Sequence, residues 1–295
     1  MANGAAQTWW RQINWRRVGV SLTVMPFLLF AVLFMILPAG SLLIESFRNA
    51  QGQWTLANFA DMNDPMIIEA YSMSLRISFT TAIIGAILGL LVAYAVTVGG
   101  LPRGIRTAIL TFSGVASNFA GVPLAFAFVA TLGRTGIITV LLTQLGINLY
   151  KNGFNLYSYI GLVIVYVYFQ FPLMVLVMTP ALDGLRREWR EASAILGANT
   201  AQYWRHVALP ILMPAILAGM VLLFGNAFGA FATAYALTGG TLTMVTNVIA
   251  QEMSGDVLHN EALAYALATG MIVIMTITIG TYTVLQRRAE RWLRA

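Results

Sequence analysis

Long apolar runs are the feature that most restricts what this chain can fold into. A helix that crosses the hydrocarbon core of a bilayer needs about 20 mainly apolar residues. The sequence contains six such runs, and they predict membrane spans at residues 18–43, 72–98, 106–132, 157–180, 211–237 and 262–285. Backbone polar groups find no partners in lipid, so runs of this length must be helical. The predicted fold class is therefore an all-α integral membrane protein with six transmembrane helices.

The composition agrees with a membrane protein. Hydrophobic residues make up 59% of the chain and charged residues only 9%, whereas soluble domains carry about 25% charged residues. The first apolar run is longer than the core of a secretory signal, about 7–15 residues, so we interpret it as an uncleaved span. A further apolar stretch at 137–145 follows the third predicted span and could form a re-entrant or interfacial helix.

The distribution of charge predicts the orientation. Basic residues on one predicted side of the membrane are Arg11, Arg16, Arg17, Arg103, Arg106, Arg186, Arg187, Arg190, Arg205, Arg287, Arg288, Arg291 and Arg294. Acidic residues on the other side are Glu45, Asp61, Asp64, Glu69, Glu252, Asp256 and Glu261. Because basic loops stay in the cytoplasm, we predict a cytoplasmic tail at 1–17, one transmembrane domain at 18–286 and a cytoplasmic basic tail at 287–295. The net charge of +6 therefore reflects topology, and no nucleic-acid partner is predicted.

Several kinds of chemistry are excluded by what the sequence lacks. A P-loop requires Gly-x-x-x-x-Gly-Lys-Ser/Thr, but the only lysine, Lys151, precedes Asn152. Secondary transporters usually bury ionisable residues in their spans, but the predicted spans of this chain contain almost none. Arg76 is the exception, and its side chain could either snorkel to the interface or contact solute. His206 and His259 fall on opposite predicted sides and there is no cysteine, so no metal site and no catalytic residues are predicted. The chain is not expected to be an enzyme.

Uncharged amides inside the spans are the candidates for a solute pathway. Amides in a membrane helix need partners, on a neighbouring helix or in a water-filled path, and both interpretations stay open here. Each amide has an aromatic neighbour that could close a path or simply pack. The candidate pathway-lining residues are Asn118, Phe119, Gln170, Phe171, Asn226 and Phe228.

The longest polar interruption, residues 183–210, predicts a helix, a turn and a second helix. Gly197 stands where the first helix should end, since glycine adopts a left-handed conformation at little cost. Asn199 followed by Gln202 resembles a capping box at the start of the second helix. Pro210 lacks an amide hydrogen and is predicted to end that helix.

The spacing within this segment resembles a known family motif. Glu191-Ala192-Ser193, then Gly197, then residues 207–210 (Val-Ala-Leu-Pro) are similar to the EAA loop of binding-protein-dependent ABC transporter permeases. Serine replaces the second alanine and valine replaces isoleucine, with the spacing intact. The resemblance implies a type I importer permease in which residues 183–210, the coupling loop, contact an ATPase. The implied coupling residues are Glu191, Ala192, Ser193, Ile195, Leu196, Gly197, Leu209 and Pro210.

The resemblance also implies the partners and the location. The family works in the bacterial inner membrane with a cytoplasmic ABC ATPase dimer, which binds the ATP and Mg, so this chain needs no cofactor of its own. A second permease subunit, identical or different, completes the pathway, and an extracytoplasmic binding protein delivers the solute. Membrane lipid surrounds both permease subunits, and both termini are expected in the cytoplasm.

The substrate is less constrained by the sequence. The segment 235–240 (Tyr-Ala-Leu-Thr-Gly-Gly) and the general pattern of the chain are similar to permeases of the spermidine/putrescine group. The acidic outer face would also concentrate cations, although these acids could instead dock the binding protein. We therefore expect a small polar solute such as a polyamine. The alternatives are phosphonate, iron or another small solute, a secondary transporter, and a scaffold subunit without a path.

Overall fold

The structure is a computed structural model that describes residues 24–49, 51–254 and 260–294, with side chains described up to Arg287. Some predicted features lie outside the described residues: the N-terminal tail 1–17, the first residues of the first span, Asp256 and His259. The same holds for the side chains of the basic tail beyond Arg287.

The described residues are mostly helical. In chain order the helices are α1 (Val24–Glu45), α2 (Ala57–Asp61), α3 (Pro65–Thr97), α4 (Arg103–Asn118), α5 (Gly121–Leu132), α6 (Ile137–Gln144), α7 (Tyr159–Asp183), α8 (Arg187–Ile195), α9 (Thr200–Tyr203), α10 (Leu209–Phe228), α11 (Ala232–Thr238), α12 (Val245–Ser254) and α13 (Glu261–Arg294). The described residues include two π-helical turns, at Val32–Ile36 within α1 and at Trp204–Ala208 between α9 and α10.

Within the described part of the chain, six stretches are long and apolar enough to cross a membrane, which confirms the all-α fold class. They are Val24–Glu45, Pro65–Thr97, Gly121–Gln144, Tyr159–Asp183, Thr200–Phe228 and Glu261–Arg287. The second begins before its predicted start because Asp64 caps it. The Asp64 side chain accepts a hydrogen bond from the Met66 amide, and Pro65 occupies the first helical turn, where proline needs no amide hydrogen.

The prediction of one continuous third span at 106–132 is wrong. The chain instead forms α4 and α5, which are separated at Phe119 and Ala120, and Gly121 has a φ of +75° that favours glycine. The stretch apolar enough to span, Gly121–Gln144, is itself interrupted between α5 and α6. The apolar run at 137–145 forms the separate helix α6, and its re-entrant or interfacial position stays a prediction.

The predicted fifth span, 211–237, is also divided. Helix α10 ends at Phe228 and is capped by Gly229, and α11 begins only at Ala232. Irregular backbone within a membrane protein is tolerated where protein or a water-filled cavity surrounds it. The breaks after α4 and after α10 are therefore places where the bundle itself must satisfy the backbone.

Helices α3 and α7 form the centre of the bundle, and α10 packs against both of them. Small residues of α3 allow the close approach, since a Cβ at Gly85 would lie 2.9 Å from the Cβ of Gln170 on α7. Apolar attraction is weak between helices in lipid, so such close packing is a main source of association. The core continues through Met174, Leu223 and Phe224.

Helix α1 is the least embedded span. None of its residues in the membrane-crossing window is buried, and among the described helices it packs against α13. Its exposed aliphatic and aromatic side chains therefore face lipid or another subunit.

Candidate functional site

The coupling loop has the predicted helix–turn–helix form. Helix α8 ends at Ile195, and Gly197 follows with a φ of +80°. The capping box is complete: the Gln202 amide donates to Asn199 Oδ1 at 2.9 Å, and the Asn199 amide donates to Gln202 Oε1 at 2.8 Å. These bonds lie within one turn, which explains why a short sequence pattern was enough to predict them.

The prediction that Pro210 ends the second helix is wrong. Residues Thr200–Phe228 run as one helical stretch through the π-helical turn into α10. In that turn the Leu209 amide donates to the Trp204 carbonyl, five residues back. The wider turn relieves the clash between the proline ring and the carbonyl one turn earlier. The coupling loop is therefore continuous with α10.

The tip of the coupling loop is apolar and uncovered. Ile195 and Leu196 are each 86% exposed, and Ala192 on the same helix is also exposed. Isolated exposed apolar residues are common, but two adjacent aliphatic side chains projecting from a turn form a compact contact point. Nothing stands within 4 Å of a Cβ placed on Gly197, so the turn also has free space around it.

The polar residues of the motif make local contacts. Glu191 Oε1 lies 3.2 Å from Arg187 Nε on the same helix, with both side chains largely exposed. The Ser193 hydroxyl donates to the Trp189 carbonyl at 2.7 Å. Exposed pairs of this kind contribute about 0–1 kcal/mol, so Glu191 and Ser193 do not attach α8 to the rest of the bundle.

Attachment comes from residues that the sequence interpretation missed. Arg106 at the start of α4 donates to Asp183 at the end of α7, with an N–O distance of 2.5 Å. Trp204 packs edge-on against Tyr94 at the end of α3, at a ring distance of 5.1 Å. The adjacent Tyr203 is buried. The only sequence signal was an aromatic pair inside a polar loop.

A cleft of about 940 Å³ separates the coupling loop from the ends of α3 and α7. Arg186, Arg190 and Glu191 line it on the loop side, and Tyr94 and Thr97 line it on the bundle side. Helix α8 is therefore not packed flat against the spans. The coupling loop contacts the bundle through the ring of Trp204 and through the pair between Arg106 and Asp183.

Two of the predicted pathway residues are buried within the bundle. Gln170 is 0% exposed, and its Nε2 donates to the Leu223 carbonyl of α10 at 2.8 Å. Phe228 is also fully buried and stacks on Phe224 at 5.5 Å. Phe171 is partly buried against the same core. Their positions favour the helix-packing interpretation over pathway lining.

The other three predicted pathway residues reach the surface. Asn118, Phe119 and Asn226 are not buried, and the Asn118 side chain donates to the Gly114 carbonyl of its own helix at 2.9 Å. The ring of Phe119 lies 6.3 Å from that of Tyr168. The six candidates therefore do not form one cluster, and these three lie beside the break after α4 or shortly before the break after α10.

One hydrogen bond joins the two breaks, and a second attaches the break after α10 to helix α7. The Gly121 amide donates to the Thr233 hydroxyl at 2.7 Å, and the Tyr166 hydroxyl donates to the Ala230 carbonyl at 2.8 Å. We call residues 119–121 and 229–233 the helix junction. Sequence interpretation missed both bonds, because Thr233 and Tyr166 carry no signal of a partner more than 60 residues away.

Comparison with known proteins identifies one family, and the similar proteins are permeases of transport systems. The family described as "Binding-protein-dependent transport system inner membrane component" matches residues 85–291, well over half of the chain. The chain is 29% identical over 232 residues to the sulfate transport system permease protein CysT of Salmonella typhimurium, covering 77% of this chain and 78% of that protein. It is 27% identical over 267 residues to the spermidine/putrescine transport system permease protein PotB of Haemophilus influenzae, covering 88% and 92%.

The fold has a solved counterpart. A chain in the crystal structure of a bacterial alginate ABC transporter, in complex with a periplasmic protein bound to an alginate pentasaccharide, superposes with a TM-score of 0.69. Sequence identity is 17%, with 92% of this chain and 95% of that chain covered. The chain belongs to the family of binding-protein-dependent transport system inner membrane components, and it is a multi-pass permease subunit of a bacterial ABC import system, not an enzyme.

Proposed function

We propose that this chain forms half of a solute pathway and that its coupling loop transmits the action of a cytoplasmic ATPase dimer to that pathway. The observation that carries the proposal is the uncovered pair Ile195 and Leu196, presented beside the left-handed Gly197. An apolar tip on a loop continuous with α10 suits a cleft on a partner surface. The proposed coupling residues are Glu191, Ala192, Ser193, Ile195, Leu196, Gly197, Leu209 and Pro210.

The remaining partners follow from the same function. A second permease subunit would complete the pathway, and a binding protein would deliver solute at the end of α7 opposite the coupling loop. ATP and Mg would be held by the ATPase, so this chain needs no cofactor. Asn118, Phe119 and Asn226 are the proposed lining residues, because their side chains reach the surface near the helix junction.

We also propose that both termini lie in the cytoplasm, flanking one transmembrane domain at 18–286. The Arg106–Asp183 pair supports this orientation, since it brings the start of α4 to the same end of the bundle as the coupling loop. Reporter fusions after Leu101 and Arg187 should read cytoplasmic, and fusions after Asp61 and Asp256 should read extracytoplasmic. Reversal at two sites would overturn this topology.

For the substrate we propose a polyamine. Similarity to PotB supports this choice, as does the acidic character of the face opposite the coupling loop. The described acids on that face are Glu45, Asp61, Asp64, Glu69, Glu252 and Glu261. Such a surface raises the local concentration of cations, and salt screens the effect.

Sulfate is the second candidate, because two observations favour an anion. The CysT relative is named for sulfate, and Arg134 and Lys151 line a pocket on the same face. Uptake of labelled spermidine and of labelled sulfate, measured in parallel, separates the two. Uptake of sulfate without uptake of spermidine would contradict the polyamine proposal.

The coupling role is tested by co-purification. Tagged chain, expressed with its partner subunits, should retain the ATPase, and the double change Ile195→Ser and Leu196→Ser should release it. The matched control is Ile137→Ser with Leu145→Ser, which alters two exposed aliphatic residues beyond the opposite end of α7. Equal retention of the ATPase by both double variants would contradict the proposed function.

A further inference from the structure

A second pocket lies at the end of α7 opposite the coupling loop, between α6 and the segment 148–155. Its volume is about 570 Å³. The lining includes two cations, three hydroxyls and two amides, and none of the described residues that line it carries a carboxylate. These polar residues, which we call the basic pocket, are Arg134, Lys151, Thr139, Thr143, Tyr150, Asn148 and Asn155.

The ring of Tyr150 lies beside Arg134 in the basic pocket, and its position is fixed by two contacts. The Tyr150 hydroxyl donates to the Leu132 carbonyl at 2.9 Å, and Phe154 packs edge-on against the same ring at 5.7 Å. Burial raises the pKa of the Tyr150 hydroxyl above its ordinary value, which is in the same direction as its role as the donor in this bond. The Arg134 guanidinium lies 5.9 Å from the ring centre, which restricts its positions at the rim of the pocket.

Three of the remaining lining groups offer donors, whereas the Thr143 hydroxyl already donates to the Thr139 carbonyl at 2.8 Å. The Asn148 side-chain oxygen accepts from the Lys151 amide, and the Asn155 oxygen accepts from the Tyr157 amide, which leaves the two amide nitrogens as donors. Thr139 is only 4% exposed, and its hydroxyl has no hydrogen-bond partner among the described residues. Two cations with several donors and no acid match an oxyanion.

The helix that forms one wall of the pocket is amphipathic. Thr139 and Thr143 line the pocket, one turn apart. Ile137, Leu141 and Leu145 instead project outward, with Leu145 75% exposed. A short helix with a polar face and an aliphatic face suits the membrane surface, where the aliphatic side enters the acyl chains.

We propose that the basic pocket binds the phosphate of a phospholipid headgroup, with the acyl chains lying along the outward face of α6. Basic pockets at helix ends bind lipid headgroups in this way. A soluble partner or a free anion would satisfy the cations but would leave the aliphatic face of α6 uncovered. The site depends neither on the proposed polyamine nor on coupling, whereas a sulfate substrate would compete for the same two cations. Only the name of the leaflet, the outer one, rests on the proposed topology.

Native mass spectrometry of the full-length chain with its partner subunits tests the site. The probes are phosphatidylglycerol and a diacylglycerol with the same acyl chains but no phosphate. We expect phosphatidylglycerol adducts on the wild type and about tenfold weaker binding after Arg134→Gln with Lys151→Gln, because the lipid phosphate would then form no charge-assisted hydrogen bonds with these two side chains. Diacylglycerol should bind weakly to both. Arg134→Lys with Lys151→Arg, which keeps both charges, should retain binding.

The matched control is Arg48→Gln, the same change at an arginine of the same face that lies outside the pocket and pairs with Glu45. The proposal is overturned if this control loses as much lipid as the double variant, or if the double variant binds lipid like the wild type. It is also overturned if inorganic sulfate or phosphate displaces the lipid at equal concentration, because the site would then take a free oxyanion. Loss of binding-protein docking with lipid adducts unchanged would assign the pocket to an acidic protein surface instead.

None of these measurements involves the ATPase contact or solute uptake. Failure of the lipid proposal would therefore leave the proposed function intact, and failure of the coupling proposal would leave the lipid adducts unchanged.

Discussion

The coupling loop and the helix junction are built on opposite principles. The coupling loop is held by bonds within a few residues, such as the Asn199–Gln202 capping box, and its apolar tip is exposed. The helix junction is held by bonds between distant parts of the chain, such as that from the Gly121 amide to Thr233, which is buried. The difference agrees with the proposal that the loop contacts a partner, whereas the junction holds two broken spans together. Mutations in the coupling loop should therefore impair uptake, whereas mutations in the helix junction should also lower the stability of the chain.

The largest effect is expected from Gly197→Asp. Its φ of +80° is strained for a residue with a side chain, at a cost of about 1–2 kcal/mol, and the new carboxylate would stand beside the apolar tip. We predict normal membrane insertion but no measurable uptake of labelled solute into cells.

The matched control for that change is Gly146→Asp. Gly146 has a φ of +84° and similarly open surroundings, but it follows α6 at the other end of the bundle. Backbone strain is thus similar in the two variants. If Gly146→Asp abolishes uptake as completely, strain and not position explains the defect.

Overpacking of the central helices should give the next largest effect. Gly85→Leu would force a side chain into the space 2.9 Å from the Gln170 Cβ, which should cost roughly 3 kcal/mol. The melting temperature of the purified chain in detergent should fall. Gly114→Leu, where nothing stands within 4 Å of the new Cβ, should leave it unchanged, and an equal fall in both variants would show that α3 and α7 are not packed as closely as described.

The sequence predicted these regions unequally for a physical reason. The turn at Gly197 and the cap at Asn199 depend on residues three or four apart, so both can be recognised in the amino-acid sequence. The breaks at Phe119 and Gly229 lie in apolar sequence that also fits a continuous span, and the bond that stabilises them comes from Thr233. Pro210 was misread because the π-helical turn, which accommodates the proline, has no pattern of its own. Gln170 and Phe228 were named as pathway candidates from residue type alone, which does not show which side of a helix is covered.

A smaller effect is expected from Thr233→Val at the helix junction. The Gly121 amide would lose its acceptor, which should cost about 1–2 kcal/mol. We predict a lower melting temperature together with slower uptake. Thr238→Val on the same helix is the control, because the Thr238 hydroxyl donates to the Ala234 carbonyl one turn earlier. Identical shifts would mean that the junction bond has no special importance.

The smallest effect is expected from Glu191→Ala. Its contact with Arg187 is exposed, so stability should change by no more than about 1 kcal/mol, while uptake should fall partially. Arg187→Gln breaks the same pair. A partial uptake defect in Glu191→Ala but not in Arg187→Gln would indicate that Glu191 acts on the partner, and equal defects would indicate that only the pair matters.

Cross-linking from the tip of the coupling loop tests the central claim most directly. The chain contains no cysteine, so Leu196→Cys introduces a single thiol at an 86% exposed position. Leu145→Cys, 75% exposed beyond the other end of α7, is the control. In membranes that contain the assembled importer, we predict that a short thiol–amine cross-linker joins Leu196→Cys, and not Leu145→Cys, to the ATPase. Capture of the ATPase by both thiols, or by neither, would contradict the assignment of residues 183–210 as the coupling element.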